Sequence, residues 1–311
     1  MTLTRRSFFQ LAAGLCAAPA LPSLCLAEEE ENLLKIDRLT ISIGLEKPFR
    51  AFHISDTHLA FADERETERK IALAKSRTGH FKTSEACFAA SLAYAKEHNE
   101  LLLHTGDLID FVSEKNFEAA AAGFQGRDAF VSAGNHEFSH YLGEAKEDEA
   151  YKAQSYDRVQ KAYPNDLKFC SRVVNGVNFV AIDDVYYYFL PEHLPRFEAE
   201  VKKGLPIVMM CHVPLYTPKL FDQMVNVNHT LGYVTGAPED LIRHYPKHRF
   251  EQQRANDFTL EFIDYLKKQP LLKAILCGHL HFPFQERFSE TAIQYVAGAN
   301  FRGEAYEIAF E

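Results

Sequence analysis

The amino-acid sequence predicts an α/β fold in which helices cover a largely parallel sheet. Five short apolar runs have the composition of strands that are buried on both faces, and each run ends in a polar cluster. Helix-like stretches separate the runs along the chain, an alternation that is typical of α/β proteins. Ligands of such proteins gather beyond the carboxyl ends of the strands, so we expect the chemistry to lie where the polar clusters are.

The elements follow one another in a simple order. The apolar runs predict core strands at residues 50–55, 101–105, 129–133, 207–211 and 273–277. The stretches between and beside them predict helices at residues 64–76, 84–98, 115–124, 150–163, 195–203 and 258–268.

Two further pieces predict strands that are added to this central layer. Residues 168–174 and 177–183 flank Asn175-Gly176, a strong type I′ hairpin signal. The tail, residues 291–310, gives two strand candidates on either side of a turn near Arg302-Gly303. No repeat or Gly/Ser-rich linker marks a second domain, so the sequence favours one mixed α/β unit.

Composition excludes several classes of protein. The chain has 311 residues, 47% of them hydrophobic and 25% charged, which is ordinary for a globular protein. A net charge of −9 argues against a nucleic-acid backbone as the partner, because that needs a basic face. Fourteen histidines and no tryptophan point instead to metal binding or acid–base chemistry.

The N-terminal segment predicts export. Residues 1–27 combine the run Arg5-Arg6-Ser7-Phe8-Phe9 with a short apolar stretch and a plausible cleavage point after Ala27, which resembles a twin-arginine signal. The twin-arginine machinery is then the expected export partner, and the expected location is periplasmic or otherwise extracytoplasmic. Retention as an anchor is the weaker outcome because Pro19 and Pro22 interrupt the apolar stretch; beyond this segment we expect no membrane span. The alternative is a chance basic N-terminus that is never exported. Residues 28–311 would form the folded domain that carries the chemistry.

Five polar clusters close the five apolar runs: Asp56-Thr57-His58, Gly106-Asp107-Leu108-Ile109-Asp110, Gly134-Asn135-His136-Glu137, Cys211-His212 and Gly278-His279-Leu280-His281. Taken singly, each is as readily explained by strand capping and turn formation. Because all five follow predicted parallel strands, we expect them to converge at one edge of the sheet.

In this order the clusters resemble the calcineurin-like metallophosphoesterase family, whose signature D-x-H … GD … GNH(D/E) … H … GHxH is met from residue 56 to residue 281 without a missing ligand. The resemblance implies a four-layer α-β-β-α sandwich with two mixed β-sheets. It also implies a two-metal site. One metal would be held by Asp56, His58 and His281, the other by Asn135, His212 and His279, with Asp107 and a hydroxide bridging them. His136 would lie outside the metal shell, near the leaving group.

Physical chemistry agrees with these roles. Two cations about 3.5–4 Å apart need a bridging carboxylate, and their charge produces a hydroxide near neutrality that attacks phosphorus in line. Imidazole and carboxylate ligands suit Fe, Mn or Zn better than Ca or Mg. His136 is a suitable general acid if a carboxylate fixes its tautomer, and we assign that task to Asp110, which is not part of the signature.

Departures from two neighbouring groups narrow the resemblance. Leu108-Ile109-Asp110 lacks the tyrosine ligand of purple acid phosphatases and the Arg-Gly of serine/threonine protein phosphatases. The pattern is most similar to the bacterial group that includes cyclic-nucleotide phosphodiesterases, so the expected substrate is a small phosphodiester or phosphomonoester. The alternative is a catalytically inactive binding or scaffold protein on the same fold, which the complete ligand set disfavours.

Three insertions are expected to shape specificity, at residues 60–82, 138–163 and 215–256. We expect the third to form a lid, with Arg243, His248 and Arg249 as its candidate substrate-binding residues, although a solvated surface explains each of them too. The run Tyr186-Tyr187-Tyr188 is a candidate for stacking on a substrate ring, or else for edge packing.

The cysteines that follow the signal are widely spaced, and no disulfide framework can be read from them. They are expected to be small buried hydrophobes. These are Cys87, Cys170, Cys211 and Cys277.

Overall fold

Two β-sheets face each other in the computed structural model, which describes residues 33–98, 100–139 and 149–311. The proposed signal, residues 1–27, lies outside the described residues and stays a prediction. Within the described ranges, no helix is long and apolar enough to span a membrane.

Strand order differs between the two sheets, and both are mixed. The first sheet has the order β1-β11-β2-β3-β4 and the second the order β5-β6-β7-β8-β10-β9. The strands are β1 (Lys35–Ile41), β2 (Phe49–Ile54), β3 (Leu101–Thr105), β4 (Ala129–Ser132), β5 (Phe169–Val174), β6 (Val177–Ile182), β7 (Ile207–Met210), β8 (Leu272–Cys277), β9 (Phe284–Arg287), β10 (Ile293–Val296) and β11 (Glu304–Phe310). Strands β2, β3 and β4 run parallel to one another, as do β6, β7 and β8.

Helices cover the outer faces of both sheets. The helices of the described residues are α1 (Glu68–His80), α2 (Ser84–Glu97), α3 (Glu114–Phe124), α4 (Glu149–Ala162), α5 (His193–Val201), α6 (Pro218–Asp222), α7 (Glu239–Ile242), α8 (Lys247–Gln253) and α9 (Asp257–Lys268). Short helical turns add to them at His136–Phe138, Gln223–Val227 and Asn300–Arg302.

Three hydrophobic clusters hold the layers together. Between the sheets, Phe130, Phe179 and Phe310 are buried in one of them. The second packs helices α2, α3 and α4 against the first sheet, and the third packs α5 and α9 against the second sheet. Each fully buried large apolar side chain contributes about 1.5–3 kcal/mol relative to exposure. The expected four-layer α-β-β-α sandwich with two mixed sheets is therefore correct.

Most predicted elements are found within a few residues. Helix α1 starts later than expected because Thr67 caps it, its side chain accepting from the Lys70 amide. The hairpin turn has φ values of 47° at Asn175 and 87° at Gly176, as a type I′ turn requires. The two strands predicted in the tail belong to different sheets. Strand β10 pairs with β8 in the second sheet, and β11 lies between β1 and β2 in the first.

Strands β1 and β9 were not predicted. Both lie at sheet edges, and both alternate between exposed and half-buried residues along most of their length. Edge strands are commonly charged, so their apolar periodicity is weak.

Candidate metal centre

Five loops meet at one end of the two sheets. They follow β2, β3, β4, β7 and β8, and backbone hydrogen bonds join them: the Asp56 amide donates to Gly106 (3.0 Å), and the Gly278 amide donates to His212 (3.0 Å). The loops carry Asp56, His58, Asp107, Asp110, Asn135, His136, His212, His279 and His281. The convergence expected from the strand ends is thus present.

These loops adopt backbone conformations that most residues avoid. Positive φ values between 53° and 70° occur at Asp56, His58, Asp107, His279 and His281. Each such conformation costs about 1–3 kcal/mol in a residue other than glycine, and such residues concentrate at functional sites.

Two glycines allow the loops to approach so closely. A Cβ at Gly106, where φ is 90°, would lie 2.6 Å from His212 Nδ1. A Cβ at Gly278 would collide with the Ser55 hydroxyl. Any side chain at either position would push a ligand-bearing loop outward.

Asp56, His58 and His281 form one group of nitrogen and oxygen donors. His58 Nε2 lies 3.1 Å from His281 Nε2, and Asp56 Oδ1 lies 3.3 Å from His281 Nε2. Asp56 Oδ2 accepts the His279 amide (2.9 Å), which turns Oδ1 toward the imidazoles. The three donors can converge on one ion.

Asp107, His212 and His279 form a second group. His212 Nε2 lies 3.2 Å from Asp107 Oδ2 and 3.2 Å from His279 Nδ1. Asp107 Oδ2 is also 3.7 Å from His58 Nε2, so this carboxylate lies between the two groups. Asn135 is buried beside them, and the next amide, that of His136, donates to Asp107 Oδ1 (2.9 Å).

The two groups fit metal cations. Donor atoms that share one ion at about 2.0–2.2 Å lie roughly 3–4 Å apart, which is the spacing seen in both groups. Nitrogen donors of two imidazoles face each other in each group, an arrangement that a shared cation stabilises. Imidazole with carboxylate is a donor set suited to divalent transition metals.

Hydrogen bonds from the opposite ring nitrogens fix the histidine tautomers. His58 Nδ1 donates to Asp110 Oδ1 (3.1 Å) and His212 Nδ1 donates to the Thr105 carbonyl (2.7 Å), so both rings present Nε2 to the site. His279 presents Nδ1, and its Nε2 lies 3.1 Å from the Tyr187 hydroxyl.

His136 and Asp110 lie beside the first group. His136 Nδ1 donates to the Asp110 carbonyl (2.9 Å) and is 3.2 Å from Asp110 Oδ1. Although burial opposes protonation, the negative charges of Asp107 and Asp110 raise the pKa of His136 well above its usual value. Asp110 remains ionised because Arg77, His136 and His58 lower its pKa against the effect of burial.

The carboxylates and imidazoles of the centre shift one another's pKa values. Burial opposes the ionisation of Asp107, but the neighbouring histidines hold its pKa well below the usual range. In return, Asp107 raises the pKa of His212 to about 10 against burial. Burial and the charge of His212 lower the pKa of His279 to about 3. Carboxylates that stay ionised in this way attract cations, and a metal ion can take the place of the protons on the imidazoles.

Glu137 supports the site, a role that was not predicted from the sequence. Its buried carboxylate accepts the amides of Asp107 (2.9 Å), Leu108 (2.7 Å) and Gly134 (2.7 Å), and the Tyr163 hydroxyl (2.9 Å). It therefore ties the loop after β3 to the loop after β4. Its place in the quoted GNH(D/E) motif was the available signal.

Asp184 supports the loop after β7 in the same way. Its buried carboxylate accepts the amides of His212 (3.0 Å) and Val213 (3.0 Å). Burial raises the pKa of Asp184 to about 7. It follows the apolar strand β6 as the other clusters follow theirs, a signal that was present but not used.

A buried polar chain holds the loop after β2 from behind. His104 Nε2 lies 3.1 Å from the Thr57 hydroxyl, which donates to Asn300 Oδ1 (3.0 Å), and Asn300 Nδ2 donates to the Ser91 hydroxyl (2.8 Å). The Gly106 amide donates to His104 Nδ1 (3.2 Å), so Nε2 carries the proton. Burial lowers the pKa of His104 to about 3 and keeps it neutral.

The three substrate-binding candidates in the third insertion are placed differently. Arg243 is exposed, 3.6 Å from Glu239, and His248 is exposed on α8. The Arg249 guanidinium lies 5.6 Å from the centre of the Tyr233 ring, and that ring lies 6.3 Å from the His279 ring. The insertion thus reaches the edge of the centre through Tyr233.

The run of three tyrosines packs in the protein interior, and the cysteines form no disulfide among the described residues. Tyr186 and Tyr187 are buried in the hydrophobic cluster of the first sheet, and Tyr188 packs against it. All four cysteines among the described residues are free thiols. Burial raises the pKa of Cys211 and Cys277 well above the usual value, so both stay protonated.

Comparison with known proteins adds independent information. A family model described as calcineurin-like phosphoesterase matches residues 49–283. No curated protein sequence matches the chain.

Solved structures do match. A dimetal phosphatase from Danio rerio is 13% identical, with 82% of this chain and 88% of that chain covered and a TM-score of 0.52. A 5′-nucleotidase from Candida albicans is 15% identical, with 86% and 47% covered and a TM-score of 0.40. A phosphopantetheinyl hydrolase from Mycobacterium tuberculosis is 13% identical, with 81% and 90% covered and a TM-score of 0.40. At these identities, the first likeness shows a shared fold.

Proposed function

Because this chain belongs to the calcineurin-like phosphoesterase family, we propose that it hydrolyses small phosphoric mono- or diesters with two metal cations held at the strand ends. Membership makes it a metal-binding phosphoric ester hydrolase. The number of cations, their identity, the ester and the roles of individual residues are the proposal.

One observation carries the proposal. The carboxylate of Asp107 lies between two separate donor groups, 3.2 Å from His212 Nε2 and 3.7 Å from His58 Nε2. A carboxylate in that position suits two cations that share a ligand. Asp56 and His281 would complete one cation's ligands with His58, while Asn135 and His279 would join His212 at the other.

The chain's own residues would do the remaining work. When bound, two cations supply Lewis acidity toward phosphoryl oxygens and a nucleophile from water. His136, whose Nδ1–H is held by the Asp110 carbonyl, would present Nε2 to the departing oxygen and donate the proton. Asp110 would keep that imidazole oriented and favour its protonated form.

The donor set supports iron, manganese or zinc. Four imidazoles, two carboxylates and one amide are the proposed ligands, and such nitrogen-rich sets favour these metals over calcium or magnesium. Metal analysis of the purified protein tests this part directly.

The activity is tested with p-nitrophenyl phosphate and bis-p-nitrophenyl phosphate in the presence of Mn²⁺. We expect turnover of at least one ester, and losses of at least 10²-fold in Asp107→Asn and His279→Ala. His98→Ala is the matched control, because His98 is exposed and lies at the opposite ends of the strands, bonded to the Tyr94 carbonyl.

An inactive scaffold would give a different result. It would hydrolyse no ester of a broad panel, and Asp107→Asn and His279→Ala would bind metal as well as the unchanged protein does. That combination would overturn the proposal. The ratio of diester to monoester turnover then assigns the substrate class.

We further propose export through the twin-arginine pathway. The support is the run Arg5-Arg6-Ser7-Phe8-Phe9 and the apolar stretch that follows it. Cell fractionation of the full chain and of a variant with both arginines changed to lysine tests it. Equal export of the two chains would contradict it.

A further inference from the structure

Arg77 reaches the metal centre from the first insertion. It lies in the last turn of α1, and its guanidinium binds both carboxylate oxygens of Asp110, Nε to Oδ2 at 2.7 Å and Nη2 to Oδ1 at 2.8 Å. The side chain of Asp110 is fully buried and that of Arg77 is about one quarter exposed. Two-point binding of this kind fixes the plane of a carboxylate.

Asp110, held in this way by Arg77, contacts the imidazole rings of two histidines. Its Oδ1 accepts His58 Nδ1–H (3.1 Å) and lies 3.2 Å from His136 Nδ1, while its carbonyl accepts His136 Nδ1–H (2.9 Å). The rings of His58 and His136 are therefore aligned by one residue, and that residue is held by Arg77.

The same end of α1 also holds the His58 ring. Phe81 stacks on His58 with ring centres 4.6 Å apart and planes 8° from parallel. The Arg77 guanidinium lies 4.8 Å from the centre of the Phe81 ring. The Phe81 amide donates to the Arg77 carbonyl (2.9 Å), so both residues belong to the turn that ends α1.

We infer that Arg77 is a positioning residue of the centre, so that helix α1 helps to orient the side chains of the centre. Through Asp110, Arg77 keeps His58 in the tautomer that presents Nε2 to a cation and holds the His136 ring for proton donation. The inferred effect of Arg77 on catalysis rests on the proposed function, whereas its inferred effect on metal affinity does not.

The physical reason is the two-point contact on the buried carboxylate of Asp110. Without the guanidinium, nothing on that side fixes the plane of the carboxylate, so Oδ1 can turn away from His58 Nδ1–H. Mutation of a residue that hydrogen-bonds a metal-binding histidine from outside the site typically lowers metal affinity or activity by about 10–100-fold.

The test compares Arg77→Met with Arg65→Met. Arg65 lies in the same insertion and also binds two carboxylates, those of Asp63 and Glu118, but on the surface. Metal affinity is measured by competition with a chromophoric chelator, using Zn²⁺ alone. We expect Arg77→Met to bind Zn²⁺ about 10–100-fold more weakly than the unchanged protein and Arg65→Met to bind it equally well.

Kinetics give the second readout. In Arg77→Met, kcat is expected to fall while KM changes little, with a larger loss for an alkyl phosphate ester than for a p-nitrophenyl ester. Guanidinium ion at tens of millimolar should restore part of the kcat of Arg77→Ala, because it can occupy the vacated place. It should not affect Arg65→Met.

The outcomes are separable. If Arg77→Met matches Arg65→Met in Zn²⁺ affinity, kcat and thermal midpoint, the inference is wrong. If no ester is hydrolysed by the unchanged protein, the proposed function fails, and Zn²⁺ affinity alone decides the inference. If Arg77→Met does not fold, Arg77→Lys decides, because lysine cannot make the two-point contact: a Zn²⁺ affinity equal to that of the unchanged protein overturns the inference, and a weaker affinity supports it.

Discussion

Glu137→Gln isolates the carboxylate that joins two ligand loops without touching a ligand side chain. Its Oε2 accepts the amides of Asp107 (2.9 Å) and Gly134 (2.7 Å), and its Oε1 accepts the Leu108 amide (2.7 Å) and the Tyr163 hydroxyl (2.9 Å). Glutamine has the same shape but only one acceptor oxygen, so its NH₂ group must face one of these pairs of donors.

The expected magnitude follows from the better of the two amide orientations. If the NH₂ group replaces Oε1, the Tyr163 hydroxyl can turn and accept from it, but the Leu108 amide is left buried without an acceptor. A lost hydrogen bond to a charged group is worth about 1.5–3 kcal/mol. The remaining bonds then go to a neutral oxygen and weaken, so we expect the free energy of unfolding to fall by about 2–4 kcal/mol.

Urea unfolding of the chelator-treated protein measures this loss. Glu118→Gln is the control, because Glu118 is exposed and a surface ion pair such as the one with Arg65 contributes little to stability. Equal free energies of unfolding for the two variants would refute the assignment of Glu137 as the link between the loops. Tyr163→Phe should lose less than Glu137→Gln, since it removes one neutral donor and leaves the carboxylate paired.

Three further results are expected. His136→Ala should lower kcat/KM by about 10²–10⁴-fold for alkyl phosphate esters and much less for p-nitrophenyl esters, because only a poor leaving group needs the proton; equal losses in steady-state assays of both would remove the acid role. Burial, aided by the charges of Lys152 and Arg196, lowers the pKa of His193 to about 4, so the unfolded chain takes up the proton as pH falls below about 6.5. The stability that neutral His193 contributes is thus present above pH 6.5 and is lost toward pH 4. Between pH 7 and pH 4.5, the free energy of urea unfolding should fall by about 2–3 kcal/mol less in His193→Gln than in the unchanged protein. An equal pH dependence of the two proteins would contradict this. Gly278→Ala should lower metal affinity at least tenfold in a chelator competition, because its Cβ would collide with the Ser55 hydroxyl and displace the loop that carries His279; an unchanged affinity would show that the loop can yield.

The sequence predicted the central strands because they are buried on both faces. Strands β3 and β7 are wholly buried, and their apolar runs carry the fold signal without ambiguity. The edge strand β1 exposes charged residues to solvent, so its pattern resembles a loop. The crossing of β11 into the first sheet depends on pairing between residues far apart in the chain, which periodicity does not encode.

The convergence of the five loops could be predicted for a physical reason, but the support that Arg77 gives them could not. The rule that ligands gather at strand ends brought Asp56, Asp107 and His212 together without any contact information. Arg77 acts through hydrogen bonds to Asp110, a residue that is distant in sequence, and nothing in its local pattern marks it. Likewise, composition could not separate the exposed Arg243 from Arg249, which packs on Tyr233.

Metal stoichiometry tests the central claim most directly. The claim is that two cations share Asp107 between the group of Asp56, His58 and His281 and the group of His212 and His279. Elemental analysis after dialysis against Mn²⁺ or Zn²⁺ should give about two metal equivalents per chain, with His98→Ala unchanged and Asp107→Asn retaining fewer. A single equivalent in the unchanged protein, or full retention in Asp107→Asn, would contradict the shared-ligand arrangement.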